Sequence, residues 1–299
     1  MTERFQHLAE RIQAIDAVPP DDAITPVFAG IRKIGNRPVA PDPVKIALWS
    51  LLGGGVLALV APFFAERLGH GQSKLARLES TLQLPGLGVI PARADLLPPF
   101  FEAGEIFHEM RAKLPADKAP RVLMVASAMP GEGKTTVAVN LAMSFAESGA
   151  RTLVIDTDIR RGRLNRIFGF RKAPGLSNVL LGETPLEDAV RPTFIENLSV
   201  MNAGTPASAA PDLLASDAFA TLMTALRESY DIIVLDTPPV LGLAETSVLQ
   251  KHVDGVLLVV ADNRTPKNSI QAAIEILRER GANMVGFVVN RVKPADQSV

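Results

Sequence analysis

The sequence predicts an α/β protein with a doubly wound, mostly parallel sheet in a three-layer α/β/α arrangement, preceded by one transmembrane helix. Three observations lead to this prediction. A glycine-rich loop joins an apolar run to a helical pattern near residue 130, short apolar runs alternate with helical patterns from residue 121 onward, and residues 46–65 carry no charge. The 299 residues, of which 47% are hydrophobic, are enough for a large domain with appendages or for two domains.

The glycine-rich loop predicts a nucleotide phosphate site. It reads ASAMPGEGKTT over residues 126–136 and fits the pattern G-x-x-x-x-G-K-[ST] except at the first glycine, which is Ala128. Glycines let backbone N–H groups turn toward phosphates, the lysine reaches the β- and γ-phosphates, and the first threonine offers a hydroxyl to Mg²⁺. The expected ligands are ATP and Mg²⁺, and the expected binding residues are Gly131, Glu132, Gly133, Lys134, Thr135 and Thr136.

The alternating pattern places the strands and predicts where ligands bind. Between most of the apolar runs lie helical patterns, and the clearest of these covers residues 266–280, with Thr265 as its cap, Pro266 at its first position and Gly281 at its end. Ligands of such sheets bind at the carboxyl ends of the strands. The predicted strands are residues 122–125, 153–155, 198–201, 232–235, 256–260 and 284–289.

Acidic residues end two of these strands. Asp156 and Asp158 follow the run at 153–155, and an alternating strand would point both side chains the same way, toward the site. Asp236 ends the run at 232–235 and is the expected partner of the Mg²⁺ at Thr135. Each could instead be a solvated or capping acid, but the neighbouring phosphate loop favours a functional role.

Residues 46–65 predict a membrane-spanning helix. Twenty residues of helix rise about 30 Å, the thickness of one hydrocarbon core. The run lies too deep in the chain for a signal peptide, whereas a re-entrant or buried helix remains an alternative. The flanking lysines and arginines are balanced, so the positive-inside rule does not orient the span. Because ATP is cytoplasmic, the expected order is an outside segment 1–43, a span 44–66, a linker 67–94 and a cytoplasmic domain 95–299.

The composition argues against several other functions. The formal net charge is −1, which gives no support for nucleic-acid binding. The sequence has no cysteine, so it offers neither disulfides nor thiolate chemistry, and its four scattered histidines do not suggest a metal cluster. It contains one tyrosine, Tyr230, which precedes the second acidic strand.

Three motifs resemble those of the bacterial tyrosine kinases of capsule and exopolysaccharide export. They are PGEGKTT, DTDIRR and YDIIVLDTPP, and further similar blocks extend the resemblance over residues 37–293. The resemblance implies a P-loop NTPase fold and ATP-dependent phosphorylation of protein tyrosine. It also implies a homo-oligomer in the inner membrane, single-pass with its N-terminus outside. The implied partners are polysaccharide export or polymerisation proteins, including a separate chain-length-determinant protein.

The resemblance also assigns residue roles. Lys134, Asp156 and Asp158 are the implied catalytic residues, with Asp156 as the base or the holder of a metal-bound water. Thr135, Asp158 and Asp236 are the implied metal site. Asn290 is either an adenine contact or simply a turn former.

The oligomerisation helix of the family corresponds to EIFHEMR at residues 105–111. Glu105, His108 and Arg111 would share one helix face at steps of three. His108 replaces an arginine of the family's pattern and cannot form the planar two-pronged pair with a carboxylate, which predicts weaker ring assembly.

Two further departures leave two functions open. The family's tail of tyrosines is replaced by VKPADQSV, and the short segment before the span makes the chain look like the second half of the family architecture. One hypothesis is therefore a tyrosine kinase acting in trans, and the other is an ATP-dependent assembly switch of an export complex without phosphotransfer. The related partition and septum-placement ATPases are disfavoured, because Met129 stands where they carry a signature lysine.

Overall fold

The computed structural model describes residues 74–92, 104–114, 120–242 and 245–293, the side chain of residue 247 excepted, together with seven positions between 44 and 54. Those seven positions are helical and exposed. None of the helices among the described residues is long and apolar enough to cross a membrane. The predicted outside segment 1–43 and most of the predicted span 44–66 lie outside the described residues.

The described residues from 74 onward form one compact unit around an eight-stranded sheet. The strand order is β1-β8-β7-β2-β6-β3-β5-β4, and every pair is parallel except the antiparallel pair of β4 and β5. The strands are β1 Gly86–Pro91, β2 Val122–Ser127, β3 Thr152–Asp156, β4 Val190–Pro192, β5 Leu198–Met201, β6 Ile232–Asp236, β7 Gly255–Ala261 and β8 Met284–Val292.

Ten helices among the described residues of this unit connect or precede the strands. A 3₁₀ turn, Gln250–His252, follows the ninth. The helices are α1 at 74–82, α2 Glu105–Lys113, α3 Lys134–Glu147, α4 Leu164–Ile167, α5 Leu176–Leu180, α6 Leu186–Ala189, α7 Ala210–Ala215, α8 Asp217–Ser229, α9 Glu245–Leu249 and α10 Lys267–Glu279.

The helices cover both faces of the sheet, which gives the predicted three layers. On one face the sheet packs against α8 and α10, through side chains such as Phe219 and Ile274. On the other face it packs against α2 and α3, through Phe107 and Leu141. The central strands β2 and β7 are buried along their whole length, which explains why they read as continuous apolar runs.

The predicted strands are all present, but two others were not predicted. β1 lies within the predicted linker 67–94 and extends the sheet beside β8. β4 has three residues that include Pro192, and this is too short for a periodic pattern. The predicted start of α10 was wrong by one position. Pro266, and not Thr265, is the N-cap, and the Thr265 hydroxyl donates a hydrogen bond to Glu132.

Candidate active site

The phosphate loop leaves the sheet at its centre. β2 lies between β6 and β7. The next strand of the chain, β3, lies on the β6 side of β2, whereas β7 and β8 lie on its other side. Ligands of doubly wound sheets bind at a point where the strand order reverses in this way. The loop takes positive φ angles at Gly131 (79°) and Gly133 (96°), and α3 begins at Lys134. Ala128 is buried and does not have a positive φ, so the missing first glycine is not required by the backbone here.

Glu132 fixes the loop from inside. Its Oε2 accepts a hydrogen bond from the Met129 N–H (2.8 Å), and its Oε1 accepts one from the Thr265 hydroxyl. Its backbone carbonyl accepts a hydrogen bond from Asn290 Nδ2 (2.8 Å). A side chain at Gly133 would collide with that same Asn290 amide, so the close approach requires glycine. The sequence predicted Glu132 as a nucleotide-binding residue and Thr265 as a helix cap, and it did not predict that their side chains contact each other.

Lys134 lies under the loop with 8% of its surface exposed. Its ammonium donates to Ser127 Oγ (3.0 Å), and this hydroxyl donates to the Met129 carbonyl (2.9 Å). Burial lowers the pKa of Lys134, and the nearby carboxylates of Asp236, Glu132 and Asp158 oppose that shift. The charges of these carboxylates stabilise the buried ammonium in its protonated form, which is the form that binds phosphate.

Two buried carboxylates face each other across adjacent strands. Asp156 of β3 is in register with Asp236 of β6, so both side chains lie on one face of the sheet. Asp156 accepts hydrogen bonds from the backbone N–H groups of Arg163 (2.7 Å), Leu164 (3.1 Å) and Asp158 (3.2 Å). Burial and the neighbouring Asp236 raise the pKa of Asp156, because each disfavours its ionised form.

Asp236 is a candidate ligand for a cation. Burial raises its pKa, and a hydrogen bond from Thr135 and the charge of Lys134 oppose the shift. Its Oδ1 is buried without a hydrogen-bond partner. An oxygen of this kind fits Mg²⁺, which binds through one or two protein oxygens together with phosphate and water. No group of three or more acidic or histidine side chains within the described residues could enclose a metal by itself.

The expected geometry of Asp158 was wrong. β3 ends at Asp156, so Asp158 lies in the following loop, half-exposed, rather than on the same strand. Its carboxylate accepts a hydrogen bond from the Arg161 N–H (2.9 Å). It nevertheless lies near enough to act electrostatically on Lys134, Asp156 and Asp236. The proposed metal role of Asp158 remains a prediction.

The loop after β6 is fixed against the phosphate loop. Val240 N–H donates to the Ser127 carbonyl (2.9 Å), and Leu241 N–H donates to that of Ala128 (3.2 Å). Thr237 Oγ1 donates to the Val125 carbonyl (2.9 Å). Sequence reasoning did not identify these contacts, because they are made mostly by backbone groups.

The remaining predicted residues lie in two other places. Asn290 is buried beside the phosphate loop. Its Nδ2 donates to the Glu132 carbonyl and its Oδ1 accepts from the Arg291 N–H (2.8 Å), so its amide holds the loop in place. Glu105, His108 and Arg111 lie on α2. Of these, Glu105 is exposed, His108 Nε2 lies 3.2 Å from Glu147 Oε2, and Arg111 Nε donates to Ser144 Oγ (3.1 Å). Both contacts join α2 to α3 within the chain.

Known proteins share this arrangement. Residues 120–279 match the family described as AAA domain. The tyrosine-protein kinase CpsD of Streptococcus pneumoniae serotype 4 is 36% identical over 60% of this chain and 79% of its own length. The tyrosine-protein kinase ptk of Acinetobacter johnsonii is 26% identical over 86% of this chain, which spans only 38% of that longer protein.

Solved structures agree with the sequence comparisons. The chimerical protein CapA2B2 aligns with a TM-score of 0.70 and 32% identity, covering 73% of this chain and 99% of its own. The septum site-determining protein MinD of Pyrococcus horikoshii, complexed with Mg-ADP, aligns with a TM-score of 0.51 and 25% identity, covering 60% of this chain and 73% of its own. With its P-loop, its two acidic strand ends and these relatives, the chain belongs to the AAA-domain family of P-loop proteins and, within it, to the bacterial tyrosine kinases.

Proposed function

We propose that this chain is an ATP-dependent protein-tyrosine kinase that acts on tyrosines of other chains. The observation that carries the proposal is the pair of buried carboxylates, Asp156 and Asp236, beside Thr135 and Lys134. Asp236 has an oxygen free for a cation, and Asp156 lies beside it, where the charge of bound Mg²⁺ would ionise it so that it could accept a proton.

Each side chain has a defined task in this proposal. Lys134 and the N–H groups of residues 131–136 would bind the phosphates, Thr135 and Asp236 would hold Mg²⁺, and Asp158 would hold waters of that ion. Asp156 accepts the proton of the tyrosine hydroxyl while that oxygen bonds to phosphorus, and ADP is the leaving group. Bound Mg·ATP supplies the phosphoryl group and the positive charge that stabilises its transfer. The Mg-ADP complex of the related MinD supports this choice of ligand.

The acceptor tyrosine lies outside these 299 residues. Tyr230, the sole tyrosine of the sequence, precedes the first residue of β6, whereas Asp236 ends that strand. Five strand residues at about 3.3 Å each separate the two edges of the sheet by roughly 17 Å. Tyr230 also packs against the core, and its carbonyl accepts a hydrogen bond from Arg121. It therefore cannot reach its own Asp156.

The proposed setting is a capsule or exopolysaccharide assembly at the inner membrane. The apolar run 46–65 anchors the chain with residues 1–43 outside and the catalytic domain in the cytoplasm. Homo-oligomers form through the exposed part of α2 around Glu105. The partners are polysaccharide export or polymerisation proteins and a separate chain-length-determinant protein. The likeness to the tyrosine-protein kinase CpsD supports this setting.

A second function is an ATP-dependent assembly switch that phosphorylates nothing. It is favoured by the sequence having no reachable tyrosine of its own. The site would then bind and hydrolyse ATP to change the oligomer. A partition-type ATPase is less consistent, because Met129 replaces the signature lysine and the alignment with MinD has a lower TM-score than that with CapA2B2.

Phosphotransfer decides between these functions. The full 299-residue chain is incubated with Mg²⁺ and γ-labelled ATP, with and without a tyrosine-rich acceptor chain, beside the variants Asp156→Asn and Lys134→Met. Label on the acceptor's tyrosines that disappears in both variants is the expected result. Hydrolysis of ATP without label on any acceptor would overturn the kinase proposal and favour the assembly switch.

A further inference from the structure

A strongly basic segment follows the catalytic carboxylate. Residues 160–172 contain no acidic residue and six cations, namely Arg160, Arg161, Arg163, Arg166, Arg171 and Lys172. The five arginines are exposed, and the lysine is half-buried. Because the whole chain has a net charge of −1, this density is a local feature rather than a general excess of positive charge.

The segment is held rigidly beside the active site. The backbone N–H groups of Arg163 and Leu164 donate hydrogen bonds to the carboxylate of Asp156, so the segment directly contacts the proposed base. Leu164 and Phe168 are buried in the core that lies under α3. The Arg171 carbonyl accepts a hydrogen bond from Asn202 (2.9 Å), which follows β5 at the same edge of the sheet. The core-facing residues thus anchor the segment and leave its arginines outside.

The positive charges are mostly uncompensated. Among the salt bridges of the described residues, one involves this segment, between Arg160 Nε and Glu245 Oε1 (3.0 Å). Arg191 of β4 adds a further cation, since its guanidinium lies 5.7 Å from the centre of the Phe170 ring. Clustered arginines that lack carboxylate partners raise the local concentration of anionic ligands.

We infer that residues 160–172, with Arg191, form a docking surface for acidic residues that flank the acceptor tyrosine. The inference rests on the proposed kinase function and adds the class of its protein substrate. A segment lying across this surface would bring its tyrosine to Asp156, because the surface starts at the hydrogen bonds of that carboxylate. Arginine suits this task, since its planar group binds carboxylates in pairs of hydrogen bonds. The alternative, an anionic membrane surface, is tested below.

The test uses charge reversal away from the catalytic residues. The full-length variant carries Arg166→Glu and Arg171→Glu. Its matched control carries Lys251→Glu and Arg280→Glu, two exposed cations that precede β7 and β8 at the opposite edge of the sheet. Thermal shifts with Mg·ADP check that both proteins fold and bind nucleotide. The probes are a fluorescent peptide with one tyrosine between glutamates and the same peptide with glutamines.

We expect the variant, but not the control, to bind the glutamate peptide about tenfold more weakly by anisotropy. In transfer assays the KM for that peptide rises while kcat changes little, and added salt weakens its binding to the unsubstituted chain. All three proteins bind the glutamine peptide equally weakly. Equal affinity of variant and control for the glutamate peptide would overturn the inference.

Two further outcomes separate the inference from its rivals. If the variant loses binding to phosphatidylserine vesicles but keeps the glutamate peptide, the surface is a membrane contact and the inference is wrong. If the unsubstituted chain binds the glutamate peptide through this surface but phosphorylates no tyrosine, the kinase proposal fails while an acidic docking surface is supported.

Discussion

Asp156 combines burial, a like-charged neighbour and three backbone hydrogen bonds in one carboxyl group. The first two raise its pKa, so the folded protein without ligand holds a proton there that the unfolded chain releases above about pH 4. Since the folded state binds more protons, stability falls as the pH rises through the raised pKa. The site therefore costs stability at neutral pH, as functional sites often do.

We predict that Asp156→Asn removes the part of this pH dependence that comes from Asp156. Without nucleotide, the difference in Tm between the variant and the unsubstituted chain should shift in favour of the variant between about pH 5 and about pH 8. A change of 1 kcal/mol corresponds to about 2–4 °C for a domain of this size. The measurement is thermal unfolding at both pH values.

The control for this prediction is Asp231→Asn. A hydrogen bond from Arg151 lowers the pKa of Asp231 to about 2, so its carboxylate is ionised in both the folded and unfolded states over this pH range. Its substitution should change Tm equally at both pH values. A pH-independent effect of Asp156→Asn would contradict the assigned pKa shift.

At the scale of elements, the phosphate loop is shaped by side chains from the turn after β7 and from β8. Thr265 and Asn290 hold Glu132 from either side, and the substitution of Asn290 leaves a buried carbonyl without its donor. Such a loss costs about 1–3 kcal/mol. The loop would lose its preorganised shape together with part of the stability.

We predict that Asn290→Ala weakens binding of ATP and GTP by similar factors. A brace of the loop affects the phosphate chain that both nucleotides share, whereas an adenine contact would affect ATP alone. Titration calorimetry with both nucleotides measures the two affinities, and urea unfolding measures the stability. Weakened binding of ATP with unchanged binding of GTP would instead support the adenine contact predicted from the sequence.

Helix α2 carries residues that contact α3 and a residue that is exposed for a contact with a second chain. Arg111 and His108 join α2 to α3, while Glu105 is exposed. We predict that Arg111→Ala lowers the free energy of unfolding by about 0.5–1.5 kcal/mol, because it removes a hydrogen bond to Ser144. Glu105→Ala should leave that energy unchanged and reduce the mass of the oligomer, as measured by light scattering. An unchanged mass would count against the interface.

The sequence predicted the elements whose pattern is local and missed those that depend on distant partners. The continuous apolar runs of β2 and β7 mark fully buried strands, and both were found. β1 contains Gly86, Gly88 and Pro91, which favour turns, and it is a strand only because β8 lies beside it. Similarly, Thr265 precedes a helix and resembles a cap, but Glu132, 133 residues away, takes its hydroxyl.

At the scale of the whole molecule, the two edges of the sheet have different properties. The carboxyl edge carries the phosphate loop, the paired aspartates and the basic segment, while Tyr230 lies at the amino edge. We predict that Tyr230→Phe leaves transfer to an external tyrosine unchanged and does not alter the labelling of the chain itself. Autoradiography with phosphoamino-acid analysis checks both. Label that disappears from the chain in this variant would show that Tyr230 is an acceptor.

The position of β1 determines how a force on the preceding chain would reach the sheet. It runs parallel to β8, and the helix that precedes it, α1, begins at Lys74. Lys74 forms a salt bridge with Asp262 (2.7 Å), whose backbone N–H donates a hydrogen bond to the Asn290 carbonyl. A pull on the chain ahead of residue 74 would load the Lys74–Asp262 salt bridge and α1 before it reached the β1–β8 hydrogen bonds. Through Asp262 that load would reach Asn290, the residue of β8 whose amide holds the phosphate loop.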